Sequence, residues 1–188
     1  SGTTDKSGTA NSILKDEIGN LNQITGFVPD DSVAKSVTIT YRPESTVYVA
    51  ERYGVFYEDD TWKDIEHSGK DDEEEMWEHM EDYLSCPTDL QKLTRYYIEE
   101  IGGIDGEWKD SKSEIEAIRK KICEALWELA VYDTEPGATP AGKDFVEYFL
   151  FENRKGFCVH FASAGTLLFR LAGKEARYAE GYLSLIQI

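Results

Sequence analysis

Cys158 is the side chain in this sequence best placed to do covalent chemistry. It follows Gly156 and Phe157 and opens an apolar run rich in small residues, CVHFASAGTLLFRLA, that stops at Gly173. The run predicts a buried helix, with a short strand, Ala176 to Tyr182, after it. A helix N-terminus carries unpaired N–H groups and about half a positive charge, both of which favour a thiolate. The pKa of Cys158 is therefore expected to drop. The dipole contributes only ~0.3–1 kcal/mol, too little for strong activation. A catalytic cysteine also needs an imidazole to take its proton, and the same N–H groups could hold the oxyanion of a tetrahedral intermediate. From spacing alone, a lone cysteine on an apolar helix is more often a buried small hydrophobe.

The three histidines are His67, His79 and His160. His160 lies two residues after Cys158, and i, i+2 side chains do not face each other on a helix. His79 falls in an acidic helical pattern and His67 in a polar loop, so no histidine pairs with the thiol by spacing. Trp127, Phe157 and His160 are weak candidates for lining an acyl pocket, Trp127 being more commonly a core residue. Cys86, Cys123 and Cys158 are scattered without zinc-ligand spacing, and a Cys86–Cys123 bridge stays open. No metal or cofactor is expected.

The 188 residues carry a net charge of −17 with 40% hydrophobic residues, enough for a real core. Such acidity argues against nucleic-acid phosphates and anionic membrane surfaces as partners. Residues 51–86 hold 14 acidic and 3 basic side chains, whereas residues 153–188 hold 2 and 5. The Cys158 end is mildly positive by contrast. No apolar run reaches the ~18 residues of a membrane span.

The elements that would position Cys158 follow in order. Residues 1–12, polar and Gly/Ser/Thr-rich, read as a disordered lead. Residues 13–70 read as a mainly β segment: a short helical spacing at Ile13–Leu21, then Ser36–Tyr41 and Thr46–Tyr53 with period-two patterning, then VFYEDDTW turning at Glu58–Asp60. A small antiparallel sheet is expected there. Residues 71–188 read as a helical core. An acidic helix start, Asp71–Glu75, precedes a helix capped by Thr88 and Gln91, with Leu90, Leu93, Tyr97 and Ile101 inward. Ser113 and Glu116 form a second capping box, before a stripe of Ile115, Ile118, Ile122, Leu126 and Leu129. A stiff loop with Pro136, Gly137, Pro140 and Gly142 leads to DFVEYFLFEN, N-capped by Asp144. In the cysteine helix, Ala162–Gly165 offer a small-residue surface that would let a sheet pack close.

The run FVEYFLFENRKGFCVHFASAGTLLFRLAGKEARYAEGY resembles the cysteine motif of the transglutaminase-like superfamily in its bacterial branch. The matching features are Phe149–Phe151, Gly156–Cys158, Phe161–Ala164, Arg170, Gly173, Ala176–Tyr178 and Gly181–Tyr182. Lys174–Glu175 depart from the Ile-Pro usual there. The resemblance implies an α+β fold: a small N-terminal antiparallel β segment, then a papain-like helical core that here stops after the first strand following the cysteine helix. It implies that Cys158 is the nucleophile and backbone oxyanion donor of a Cys–His–Asp triad. A protein or peptide carboxamide would be the acyl donor, and an amine or water the acceptor. The triad's His and Asp would follow the Gly-Tyr, beyond Ile188, so the 188 residues alone are expected to be inactive. A binding or scaffold domain with a residual cysteine, and an assembly in which another chain supplies the missing strands, are the competing readings. The strand Ala176–Ile188 is expected to pair with another molecule or be covered. Members of that branch are often exported or membrane-anchored, so an extracytoplasmic setting is what the resemblance implies; no compartment can be read from the residues themselves.

Overall fold

The computed structural model describes residues 46–65, 78–102 and 112–185. The expected helix at Ile13–Leu21, the strand Ser36–Tyr41 and the acidic helix start Asp71–Glu75 lie outside these residues.

The fold is α+β. Strand β1 (Thr46–Gly54) is followed by a hairpin of β2 (Phe56–Glu58) and β3 (Thr61–Lys63). Helix α1 (Met80–Leu84) precedes α2 (Gln91–Tyr96), which widens into π-type turns at Tyr97–Gly102. The long helix α3 (Lys112–Leu129) leads to a short strand β4 (Val131–Tyr132). Helix α4 (Phe145–Tyr148) also widens, at Phe149–Asn153, before β5 (Lys155–Gly156). Helix α5 (Cys158–Leu171) carries the cysteine, and β6 (Tyr178–Leu185) closes the described chain.

Among the described residues, the strands do not pair as the single upstream sheet that the sequence suggests. β1 pairs antiparallel with β6 across the whole fold, from Thr46–Leu185 to Gly54–Tyr178, with a bulge between Ala50 and Arg52. Among the described residues β2 and β3 pair only with each other, through a tight turn in which Asp59 and Asp60 take positive φ. Short, locally alternating strands cannot announce a partner more than 120 residues away. One edge of β6 is thus covered from within the chain, and the strand begins at Tyr178 rather than Ala176.

The core lies between α3, α4 and α5, with Ile118, Ile122, Leu126, Phe145, Phe149, Leu150, Leu167 and Leu168 buried. Leu90, Leu93, Tyr97 and Ile101 join it, as their spacing indicates. Ile115, at the start of the α3 stripe, is largely exposed. The helix starts differ from those expected of the two capping boxes. Ser113 sits inside α3, which has already begun at Lys112. Thr88 does not cap α2, which starts at Gln91 with Leu90 as N-cap and no side-chain cap. Instead Glu147 Oε1 accepts from the backbone N–H groups of Lys92 (2.6 Å) and Leu93 (3.1 Å). A carboxylate at the helix start satisfies orphan donors and complements the dipole from outside the helix. Asp144 caps α4 as expected, accepting from Glu147 N–H at 2.7 Å.

Two residues lock the hairpin and the turns onto the cysteine helix. The Trp62 ring is fully buried, donates from Nε1 to Ser163 Oγ at 2.9 Å and stacks on Tyr178 at 5.4 Å. The small-residue face of α5 therefore admits an indole, and beside it Leu126 of α3 comes within 3.8 Å of where a Cβ on Gly165 would sit. Arg170, also buried, donates to Ser85 O and Ala176 O at 2.8 Å each and lies over the Trp62 ring. Its Nη2 has no partner among the described residues, and burial pulls its pKa down to about 10, still charged at neutral pH.

Candidate active site

Phe157 takes extended backbone angles as N-cap and Cys158 is the first residue of α5. Gly156 is needed just before it. A Cβ at Gly156 would lie 2.6 Å from His160 Cγ and 2.7 Å from Phe149 Cε2. β5 pairs in parallel with β4, Tyr132 opposite Gly156, and Asp133 N–H donates to Gly156 O at 2.8 Å. Arg154, in the left-handed region, donates to Glu128 O and Leu129 O and so caps the end of α3. These contacts fix the peptide that presents the thiol.

Cys158 is exposed, while Cys86 and Cys123 are half-buried; all three are free, so no Cys86–Cys123 bridge forms. Burial pushes the Cys86 thiol up to about 11. The Cys158 thiol is also raised, contrary to the expectation from the helix start. The protein around it strips part of its hydration, the backbone N–H groups of Val159 and Cys158 pull the other way, and Glu180 raises it further. Glu180, on β6, is paired with Arg52 of β1. Helix-start donors are thus present but outweighed.

The sequence-selected neighbours divide sharply. Phe157 (2% exposed) and His160 (3%) face inward. The His160 ring sits 4.5 Å from Phe145, 4.7 Å from Phe157 and 5.2 Å from Phe149, and its Nδ1 accepts from Phe157 N–H at 3.4 Å. Burial lowers its pKa to about 4, so it is neutral at pH 7. His79 is paired with Asp82 at 2.9 Å, and His67 lies outside the described residues. Trp127 is 63% exposed rather than in the core, because it is turned about 100° from Leu126 on α3. Its ring packs on Phe161 at 5.1 Å. Among the described residues no group of three or more His, Cys, Asp or Glu side chains could hold a metal ion.

A cleft of about 480 Å³ lies elsewhere, lined by Tyr57, Glu58, Asp59, Asp60, Pro87, Asp89, Gly142, Lys143 and Asp144. Tyr57 Oη donates to Asp144 Oδ2 (2.8 Å) or to Asp60 Oδ1 (3.1 Å), and Asp60 Oδ1 accepts from Phe145 N–H at 2.7 Å. Burial raises Asp144 above the ordinary carboxylate range against the pull of Glu147 N–H and Tyr57, and Asp60 adds to the rise. The cluster ties the hairpin to α4, and neither its role nor its coupling could be found from sequence spacing.

His160 and Asp144 give opposite pH dependences. His160 is held neutral in the fold but protonates near pH ~6.5 when unfolded, so its contribution is lost as pH falls from about 6.5 towards about 4. Asp144 holds its proton more tightly folded than unfolded, so its contribution is full below pH ~4 and is lost as pH rises through its folded value. Urea midpoints between pH 4 and 7 should fall less steeply on acidification in His160→Gln than in the parent. In Asp144→Asn, which keeps an N-cap, they should fall more steeply.

Residues 102–187 match the family model described as the transglutaminase-like superfamily. This segment is similar to that superfamily. Over 54 residues, 28% of its length, the chain is 44% identical to the uncharacterized protein YebA of Bacillus subtilis. Over 51 residues, 27% of the chain, it is 47% identical to a protein-glutamine gamma-glutamyltransferase of Pseudomonas aeruginosa. Each match covers 7% of the relative's length. No solved structure matches. The matched segment contains α3, α4 with its widened stretch at Phe149–Asn153, the Gly156–Cys158 entry, α5 and β6, which are the elements that position Cys158. No helix of the described residues is long and apolar enough to cross a membrane.

Proposed function

We propose that this chain is the cysteine-bearing part of a transglutaminase-like acyltransferase or amidase, with Cys158 as nucleophile. The observation that carries this is an exposed thiol at the first residue of α5, inside the family-matched segment. In the first step the thiolate attacks a carboxamide carbon of a protein or peptide. The N–H of Cys158 faces the developing oxyanion, the C–N bond breaks and ammonia leaves with a proton, giving a thioester. An amine then displaces the thiolate to form an amide, or water does so to form a carboxylate. The base is an imidazole supplied from outside the described residues, because His160 is enclosed by phenyl rings and His79 is held by Asp82. On this reading residues 1–188 alone are inactive. The raised thiol pKa favours the competing reading of a binding domain with a residual cysteine.

Incorporation of a fluorescent primary amine into a glutamine-bearing protein decides between them. The intact gene product carrying this segment should label the acceptor, and Cys158→Ala should abolish labelling. Equal labelling by both would overturn the assignment. Self-association through Ala176–Ile188 would use the edge of β6 not taken by β1; a monomer in sedimentation would contradict it.

A further inference from the structure

Near the start of α5 lies an aromatic surface that stands exposed among the described residues. Trp127 (63%), Val131 (58%) and Tyr132 (51%) are the most exposed of the large hydrophobic side chains near α5. Both rings rest on Phe161, at 5.1 Å for Trp127 and 6.2 Å, nearly parallel, for Tyr132. Phe161 is in turn wedged edge-on against buried Phe149 at 5.0 Å. Two independent connections bring this shelf to the thiol. Phe161 is three residues after Cys158 and so on the same face of α5. Tyr132 is paired opposite Gly156, two residues before Cys158.

The shelf is rigid. Val131 N–H donates to Arg154 O at 3.0 Å, and the Arg154 guanidinium holds the end of α3 beside Trp127. Next to it Lys155 and Asp133 pair at 3.4 Å. Contact on the shelf is selected by apolar area and ring stacking.

We propose that Trp127, Tyr132 and Phe161 form the specificity subsite for the acyl donor, which receives an apolar or aromatic side chain of an extended protein segment. This rests on Cys158 being the nucleophile. Phe161, one helical turn after Cys158, links the shelf to the thiol, so the recognised side chain lies close to the reacting carboxamide along the extended segment.

The test compares two electrophiles with the same warhead, iodoacetamide and N-(3-phenylpropyl)iodoacetamide. In each, the sulfur attacks the methylene carbon, the S–C bond forms and iodide leaves. Alkylation of Cys158 is followed by peptide mapping, with Cys86 and Cys123 as internal references. The phenylpropyl probe should react about tenfold faster at Cys158, and Trp127→Ala should abolish that preference. Tyr132→Ala should reduce it. A ratio near one, or a preference that survives Trp127→Ala, would overturn the subsite. So would a concentration-dependent dimer that Trp127→Ala dissolves, which would make the shelf a contact between copies. Slow reaction of Cys158 with both probes, no faster than Cys86, would count against the nucleophile, while the rate ratio still reads the shelf.

Discussion

Trp62→Ala is expected to cost about 3–5 kcal/mol, a large part of the ~5–15 kcal/mol that holds a domain together. Trp62 is fully buried, and its removal does more than open a cavity. The indole bridges the β2–β3 hairpin to α5 through Ser163, to β6 through Tyr178 and to the buried charge of Arg170. Its loss leaves the Ser163 hydroxyl without its donor and exposes one face of the guanidinium environment. Trp62→Phe should cost less, because a ring still fills most of the space and only the Nε1–H bond is lost, about 1–3 kcal/mol for a buried hydroxyl left alone. Chemical denaturation monitored by circular dichroism gives both values. A loss below about 1 kcal/mol in Trp62→Ala would show that the hairpin is not anchored through this ring.

Gly156→Ala is expected to harm both the fold and the site. The added methyl would meet His160 and Phe149 at 2.6–2.7 Å, and both rings are buried, so neither can swing into solvent. Overpacking of this kind costs about 1–3 kcal/mol. The strain falls on the peptide that sets the start of α5, two residues before the thiol. A displacement of about 1 Å at a reacting atom can cost about 10²-fold in rate. Urea midpoints should therefore fall moderately, and acyl transfer by the intact gene product should fall far more. Loss of both in proportion would mean that Gly156 matters for stability alone.

What the sequence disclosed about this site follows from the range of the interactions involved. The start of α5 at Cys158 and its stop at Gly173, where φ is positive, are local matters of turn and cap chemistry, and both were legible. The inward face of α3 followed from helical spacing, except at Ile115 and at Trp127, which sits one residue off the stripe. The cap of α2 was not legible, because its carboxylate, Glu147, lies 55 residues from the N–H it accepts. Nor was the pairing of β1 with β6. The direction of the Cys158 pKa shift failed for the same reason. Helix-start donors can be read from sequence, but the packing that desolvates the thiol and the approach of Glu180 are tertiary.

The most direct test of the central claim is to trap the acyl intermediate. The intact gene product is mixed with a glutamine-bearing peptide, quenched in acid without an amine acceptor, and mapped by mass spectrometry. The account predicts a thioester on Cys158 whose mass equals the peptide less ammonia, absent in Cys158→Ala. Amine incorporation that proceeds with no adduct on Cys158, or with the adduct on another residue, would contradict it.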